Sequence, residues 1–120
     1  MGARGEATLR VDETEYHILF TNRAIAQAEA AMGRSVITVV RDPGVADVAK
    51  LLAAGLEAAR RESKSRGLFY SVNDAYRLMD EVGFAQATEV MLTAVGTVLA
   101  YKGEGEETEG AESDAESPNP

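Results

Sequence analysis

The sequence predicts an α+β fold in which an N-terminal β-hairpin, with the option of a third short strand, packs on about four α-helices. Residues 6–20 alternate apolar and polar side chains, which is the period of a half-buried strand. Beyond residue 21, apolar side chains return every three or four positions, which is the period of a helix. Large apolar side chains are absent from residue 102 onward. We therefore expect one domain over residues 1–101 and a disordered acidic tail over residues 102–120.

Length and composition exclude several kinds of site. A chain of 120 residues leaves room for one modest core, and its hydrophobic fraction of 45% is ordinary for a globular protein. Because there is no cysteine, neither a disulfide framework nor a thiolate metal site is available. The single histidine, His17, does not make a metal centre by itself. We expect no cofactor and no metal.

The net charge of −8 is concentrated at the C-terminus. Residues 102–120 hold seven acids against one lysine, a balance of −6, which leaves −2 on residues 1–101. An acidic chain repels phosphate backbones, so nucleic acid is not expected as a ligand. The first residues lack the apolar core of a secretory signal, and the longest nearly uncharged segment, Val90–Tyr101, is shorter than the roughly 20 residues that a bilayer needs. We expect a soluble, non-exported protein without a membrane partner.

Two short strands are expected within residues 6–20. The apolar side chains share one face, the polar ones, His17 included, share the other, and an acidic turn separates the strands. Since an isolated hairpin is marginal in water, its apolar face is expected to rest on the helices. That face contains Leu9, Val11, Tyr16, Ile18 and Phe20.

The first helix is expected over residues 23–32. Thr21 or Asn22 can cap its N-terminus, and Gly33 is suited to end it in a left-handed turn. Residues 35–40, SVITVV, are β-branched and continuous, so they fit either a strand or a helical turn. A strand there would be the third partner of the hairpin.

Start and stop signals place three more helices. Asp42 and Pro43 favour a start, with the acid as cap and the proline in the first turn, of a helix that runs to about Arg61. An exposed loop over residues 63–67 and a capping box at Ser71 and Asp74 follow, opening a helix that Gly83 ends. The last helix, residues 84–101, is the longest apolar segment, and we expect the other elements to be arranged around it.

The helices contain more apolar surface than a core of 101 residues obviously needs. Leu19, Leu51 and Leu92 lie outside the main apolar stripes of their elements. Extra apolar surface on a small protein indicates a partner or self-association, although a compact core that uses these faces explains it equally well. The expected partner-binding surface is the outer side of two helices, formed by Leu51, Leu52, Leu56, Met91, Leu92, Val95 and Leu99.

No arrangement of residues predicts catalysis. The glycines are scattered rather than clustered in a phosphate-binding loop, and His17 has no evident acid or nucleophile beside it. Asp80 and Glu81 are adjacent on a helix and therefore point about 100° apart, which is typical of a solvated face. A basic cluster either stabilises a helix C-terminus or holds an acidic tail or partner; it consists of Arg60, Arg61, Lys64 and Arg66. We expect a protein that is not an enzyme.

Three local patterns resemble one protein family. They are the helix end at Glu29, Met32, Gly33, Arg34 and Ser35, the pattern Leu51, Leu52, Gly55 and Leu56, and the capped helix Ser71–Gly83. Together with the preceding hairpin and the apolar last helix, over about residues 6–101, they resemble the tail assembly chaperones of long-tailed bacteriophages. The group found with gene transfer agents and related siphovirus clusters is the most similar.

The resemblance implies a non-catalytic role in phage assembly. Such chaperones coat the tape measure protein, keep its apolar helices soluble, recruit tail tube subunits and then leave the finished tail. The implied location is the host cytoplasm, without a place in the mature virion. Many relatives also have a longer form made by ribosomal frameshifting. The alternatives are a small structural or adaptor protein of a phage particle and a helical module that oligomerises. A DNA-binding corner at Gly83 is disfavoured because the helix after it, FAQATEVMLTAV, has no lysine or arginine.

Overall fold

A computed structural model of the chain describes residues 2–64 and 69–103, and it confirms the α+β fold with an N-terminal hairpin packed on helices. Residues 104–120 of the tail predicted over residues 102–120 lie outside the described residues, as do residues 65–67 of the predicted loop over residues 63–67. The elements in chain order are β1 (Gly5–Val11), β2 (Thr14–Phe20), α1 (Asn22–Met32), α2 (Val36–Arg41), α3 (Val45–Glu62), α4 (Val72–Val82) and α5 (Phe84–Ala100).

The hairpin has the alternation that the sequence predicted. β1 and β2 are antiparallel and in register from Gly5 opposite Phe20 to Val11 opposite Thr14. The turn between them begins at Asp12, whose φ of 55° is left-handed. Leu9, Ile18 and Phe20 are buried, and His17 is exposed, as predicted. Leu19 is also buried on the opposite face, where it lies near Ala58 of α3, so it is part of the fold and not surplus apolar surface.

The helix at the centre of the fold is α3. It packs against β2, α1, α4 and α5, and the expectation that the last helix organises the fold is therefore wrong. Gly55 allows this packing: a Cβ there would lie 2.7 Å from Cγ2 of Ile18 and 2.8 Å from Cζ of Phe20. The hairpin therefore sits directly on the α3 backbone.

The segment SVITVV is helical, and the sheet of the described residues has two strands. Two hydrogen bonds favour the helix: the Ser35 hydroxyl accepts from the Ile37 amide at 3.0 Å, and the Glu29 carboxylate accepts from the Val36 amide at 2.8 Å. These bonds satisfy amides that the first turn leaves without helical partners. Val36 and Val39 are then buried in the core. The β-branched composition of the segment did not by itself determine whether it forms a strand or a helix.

Most of the predicted helix ends are confirmed. Thr21 caps α1, Gly33 ends α1 with a φ of 72°, and Ser71 forms a capping box with Asp74 at the start of α4. The start predicted at Asp42 and Pro43 is wrong by two residues. α3 begins after Gly44 without a side-chain cap, because Asp42 instead ends α2.

A sharp corner joins α4 to α5, as predicted. Gly83 has a φ of 94°, and the two helix axes differ by 116°. α5 then packs on β1, where Gly5 approaches so closely that a Cβ would lie 1.9 Å from the Ala94 carbonyl oxygen. Within residues 2–64 and 69–103, no single helix is long and apolar enough to span a membrane; only the bent α4–α5 pair passes that test jointly.

Two glycines in helix interiors are expected to respond oppositely to alanine. Gly55→Ala should lower the free energy of unfolding by about 1–3 kcal/mol, because the added methyl overlaps Ile18 and Phe20, which are fully buried. Gly96→Ala, where a Cβ meets nothing within 4 Å, should raise it by about 0.5–1 kcal/mol. Urea denaturation measures both, and equal effects would contradict the close packing of the hairpin on α3.

Candidate interaction surface

Five of the seven residues predicted to face a partner are in the core. Four of them have no exposed surface, and Leu56 is 1% exposed. The four are Leu51, Leu52, Met91 and Val95. The prediction that these side chains lie on an outer surface is wrong. The helical period identified apolar faces correctly, but α3 is covered on several sides, and the Met91 and Val95 side of α5 faces inward. In this conformation they do not reach a partner.

The other two residues remain on the surface of α5. Leu92 is half-buried, and Leu99 is 43% exposed. They are seven positions apart, so they lie on the same side of the helix. Of the partner-binding surface predicted on two helices, the part that is exposed to solvent is therefore one face of α5.

That face carries almost no charge. Among the exposed residues of α5, Glu89 is the one ionisable side chain. The Thr93 hydroxyl donates to the Glu89 carbonyl oxygen at 2.9 Å, and the Thr97 hydroxyl donates to the Thr93 carbonyl oxygen at 3.2 Å. Both threonines thus direct their hydrogen bonds to their own helix. Neither hydroxyl therefore depends on water as its hydrogen-bond acceptor.

One edge of this face, apolar except for Glu89, has a regular spacing. Its positions are separated by four, three, four and three residues, which is the spacing of a helix that packs along a second helix. We call this set the α5 seam. It consists of Ala85, Glu89, Leu92, Gly96 and Leu99. Gly96 lies open to solvent, because a Cβ built there meets nothing within 4 Å.

A second apolar surface lies around α2. Ile37 is 46% exposed, Val40 is 38% exposed, and Val45 in the first turn of α3 is 54% exposed. α2 packs mainly on α1 and makes no extensive contact with α5. The surface around α2 is therefore separate from the α5 seam.

Polar side chains line a groove beside the hairpin. A groove of about 480 Å³ between the hairpin and the end of α3 is lined by His17 and by Arg4, whose guanidinium binds Glu62 at 2.8 and 2.9 Å and Glu6 at 2.8 Å. Arg4 therefore serves to link the hairpin to α3. No three acidic or histidine side chains among the described residues are grouped as a metal site.

The basic cluster at the end of α3 is organised by Glu57, which the sequence analysis missed. Its carboxylate, 13% exposed, accepts hydrogen bonds from Arg60 and from the Tyr70 amide, and it pairs with Arg61 at 3.3 Å. The hydrogen bond from Arg60 is the main cause that lowers the pKa of Glu57. The spacing of three and four residues between Glu57 and the arginines was the signal available in the sequence. Arg66, the last member of the predicted cluster, lies outside the described residues.

One buried hydroxyl has no partner among the described residues. Thr88 on α5 is 9% exposed, and its Oγ1 atom makes no hydrogen bond in the described part of the chain. A buried hydroxyl without a partner costs free energy on folding. This cost falls on α5, the helix that carries the seam.

Comparisons with known proteins identify no relative of this chain. No family model matches, no curated protein matches, and no solved structure matches.

Neutralising Glu57 is expected to weaken the fold in a pH-dependent manner. Glu57→Gln should lower the free energy of unfolding near neutral pH by about 1–2 kcal/mol, because charged hydrogen bonds are lost. Folding lowers the pKa of Glu57 from 4.5, so its stabilisation is present above that pH and disappears as the pH falls through the folded value. Urea denaturation at several pH values should show wild type and variant converging in acid. Glu81→Gln, an exposed helical substitution, is the control, and a pH-independent deficit in Glu57→Gln would contradict the ionic role.

Removing the hydroxyl of Thr88 is expected to stabilise the domain. Thr88→Val keeps the shape of the side chain and eliminates the buried group without a partner, so the free energy of unfolding should rise by about 1 kcal/mol. Thr93→Val is the matched control, because that hydroxyl is exposed and already bonded within α5. Thermal denaturation compares the two variants, and a destabilised Thr88→Val would indicate a hydrogen bond that the structure does not show.

Proposed function

We propose that this protein is a tail assembly chaperone of a long-tailed phage, which binds the tape measure protein and recruits tail tube subunits without catalysing a reaction. The observation that carries the proposal is the outer face of α5, which is nearly uncharged yet exposed. The resemblance of residues 6–101 to these chaperones supplies the biological setting. The host cytoplasm is the corresponding location, and the protein leaves before the virion is complete.

The composition of α5 supports a helical client. A helix that is apolar on all sides is normally buried on all sides. α5 buries Met91, Val95 and Val98 against its own domain but leaves Leu99 exposed and Leu92 half-exposed. A client helix with apolar side chains at intervals of three, four and seven residues would complete the packing. The tape measure protein, with its long apolar helices, is a client of this type.

The exposed apolar surface around α2 supports the binding of a second partner. Ile37, Val40 and Val45 are exposed on and beside α2, apart from α5. One molecule therefore has separate apolar surfaces with which to hold a client helix and a tube subunit together. We assign the α5 seam to the tape measure protein and the surface around α2 to the tail tube protein.

The alternative is a small structural or adaptor protein that stays in the particle. The same exposed surfaces favour it, because an adaptor also joins two partners. Mass spectrometry of mature particles separates the two functions: a chaperone is absent, whereas an adaptor is present in a fixed ratio to the tail proteins.

Two aspartate substitutions are expected to separate the two partners. Leu92→Asp should weaken co-purification with the tape measure protein by at least about tenfold, on the order of 1.4 kcal/mol, because it places a charge in the seam. Ile37→Asp should spare that binding and reduce binding of the tail tube protein. Circular dichroism should show that both variants remain folded.

The control is Ala26→Asp, on the exposed side of α1. If neither partner binds the wild-type chain, or if Leu92→Asp leaves the tape measure complex intact, the proposal is wrong. Unfolding of Leu92→Asp would instead show that Leu92 is an ordinary core residue.

A further inference from the structure

We infer that the acidic tail of this chain binds a basic groove between α1 and α3, through the carboxylates of residues 104–116. The groove is the one that Arg23 and Arg61 line. The inference does not rest on the proposed function, because the groove is separate from the α5 seam and from the surface around α2.

The groove offers two cations and lacks an anion. It has a volume of about 170 Å³ and lies where the first turn of α1 passes the end of α3. Arg23 lines it from α1, Arg61 lines it from α3, and no acidic side chain of the described residues lines it. The remaining lining residues are Leu19, Thr21, Ala24, Gln27 and Ala58. Two guanidinium groups beside polar and small apolar side chains suit a peptide that carries carboxylates.

The described residues leave positive charge at this groove. Arg23 forms no ion pair among them, and it lies in the first turn of α1, where a cation opposes the helix dipole. Arg61 is 57% exposed, and its ion pair with Glu57 is 3.3 Å long. The same Glu57 carboxylate also binds Arg60, so it is shared between two guanidinium groups. Neither arginine of the groove therefore has a carboxylate of its own.

All the acids that the structure does not describe are in the tail. Residues 1 and 65–68 contain no acidic side chain, whereas residues 104–116 contain seven. Every other acid of the chain has a described position, and none of them pairs with Arg23. An acid of this chain that binds Arg23 must therefore come from the tail. The seven are Glu104, Glu106, Glu107, Glu109, Glu112, Asp114 and Glu116.

The tail leaves the domain at the same end of the hairpin as the groove. α5 runs antiparallel to β1, because Gln86 near its start lies by Val11, whereas Ala94 lies against Gly5. The last turns of α5 therefore extend past the Gly5 end of β1. That end is also where β2 finishes and α1 begins.

The tail is long enough to reach the groove. Phe20 is opposite Gly5, and Thr21, which lines the groove, follows it. Strand spacing of about 5 Å, helical rise of about 1.5 Å per residue and the short contacts between them place Thr21 at most about 25 Å from Tyr101. An extended chain spans about 3.3 Å per residue, so the eight residues from Tyr101 to Glu109 cover this distance. The acids from Glu109 to residue 116 are therefore within reach.

Covalent attachment favours the tail over other anions. A binding segment attached through a short linker has an effective concentration in the millimolar range. The individual pairs are exposed, so the contact depends on several carboxylates and weakens with salt. An acidic segment of another protein has to displace the tail before it binds here. The tail thus limits access to the groove.

The test places a nitroxide on the tail and measures amide signals at the groove by NMR. The chain has no cysteine, so Ser113→Cys gives a single attachment site. At low salt, the nitroxide should lower the amide intensities of Arg23 and Gln27 at least about twofold relative to its reduced form, given the millimolar effective concentration. Asp12, about 23 Å from Gly5 along β1, should keep its intensity. In about 1 M salt, where the Debye length is about 3 Å, the effect should disappear.

Matched substitutions separate the groove from net charge. In the labelled chain, Arg23→Gln with Arg61→Gln should abolish the loss of intensity at Gln27. Arg41→Gln with Lys50→Gln removes the same charge near the other end of α3 and should leave that loss unchanged. Circular dichroism should show that both double variants are folded.

A mixed sample identifies whose tail is bound. In it, isotope-labelled chain without a nitroxide is combined with nitroxide-bearing chain without isotope label, and the signals of Arg23 and Gln27 should be unaffected. Three results would overturn the inference: no loss of intensity at low salt, a loss that persists in the Arg23→Gln, Arg61→Gln variant, or a loss in the mixed sample, which indicates the tail of a second copy. None of these measurements involves a phage protein, so they are independent of the proposed function.

Discussion

The contact between β2 and α3 is the constraint on which the rest of the structure depends. A two-stranded hairpin does not hold together in water by itself, and here its apolar face is covered by the middle of α3. The contact is close because Gly55 has no side chain, so Ile18 and Phe20 rest on helix backbone. Arg4 adds an ion pair from the hairpin to Glu62 at the end of α3. α1 and α4 then pack on the remaining sides of the same helix.

This arrangement decides which apolar residues are available to a partner. α3 is covered by β2, α1, α4 and α5, so Leu51, Leu52 and Leu56 are all enclosed. α5 is at the periphery and is apolar over more of its circumference than the domain can cover. Exposed apolar side chains are therefore found on one side of α5 and around α2, and also at Phe69 before α4, which is 69% exposed. The proposed interaction function relies on the surfaces of α5 and α2 and not on the leucine-rich helix α3.

Several polar groups of the described residues serve the fold. Thr21, Ser35 and Ser71 cap helices, and Asp74 completes a capping box. Glu57 joins the end of α3 to the segment at Tyr70. Hydrogen bonds of this kind satisfy polar groups locally and fix the ends of the helices.

The sequence by itself determined the features whose causes are local. Strand alternation within residues 6–20, the cap at Thr21, the left-handed end at Gly33 and the capping box at Ser71 depend on neighbouring residues, and all were predictable. Tertiary structure decided the rest. SVITVV forms a helix that the Glu29 carboxylate caps at the Val36 amide and whose Val36 and Val39 are buried in the core. Leu51 is buried and Leu92 is only half-buried because different elements pack over them. Periodicity shows that a face is apolar, but whether that face is covered depends on elements distant in the chain.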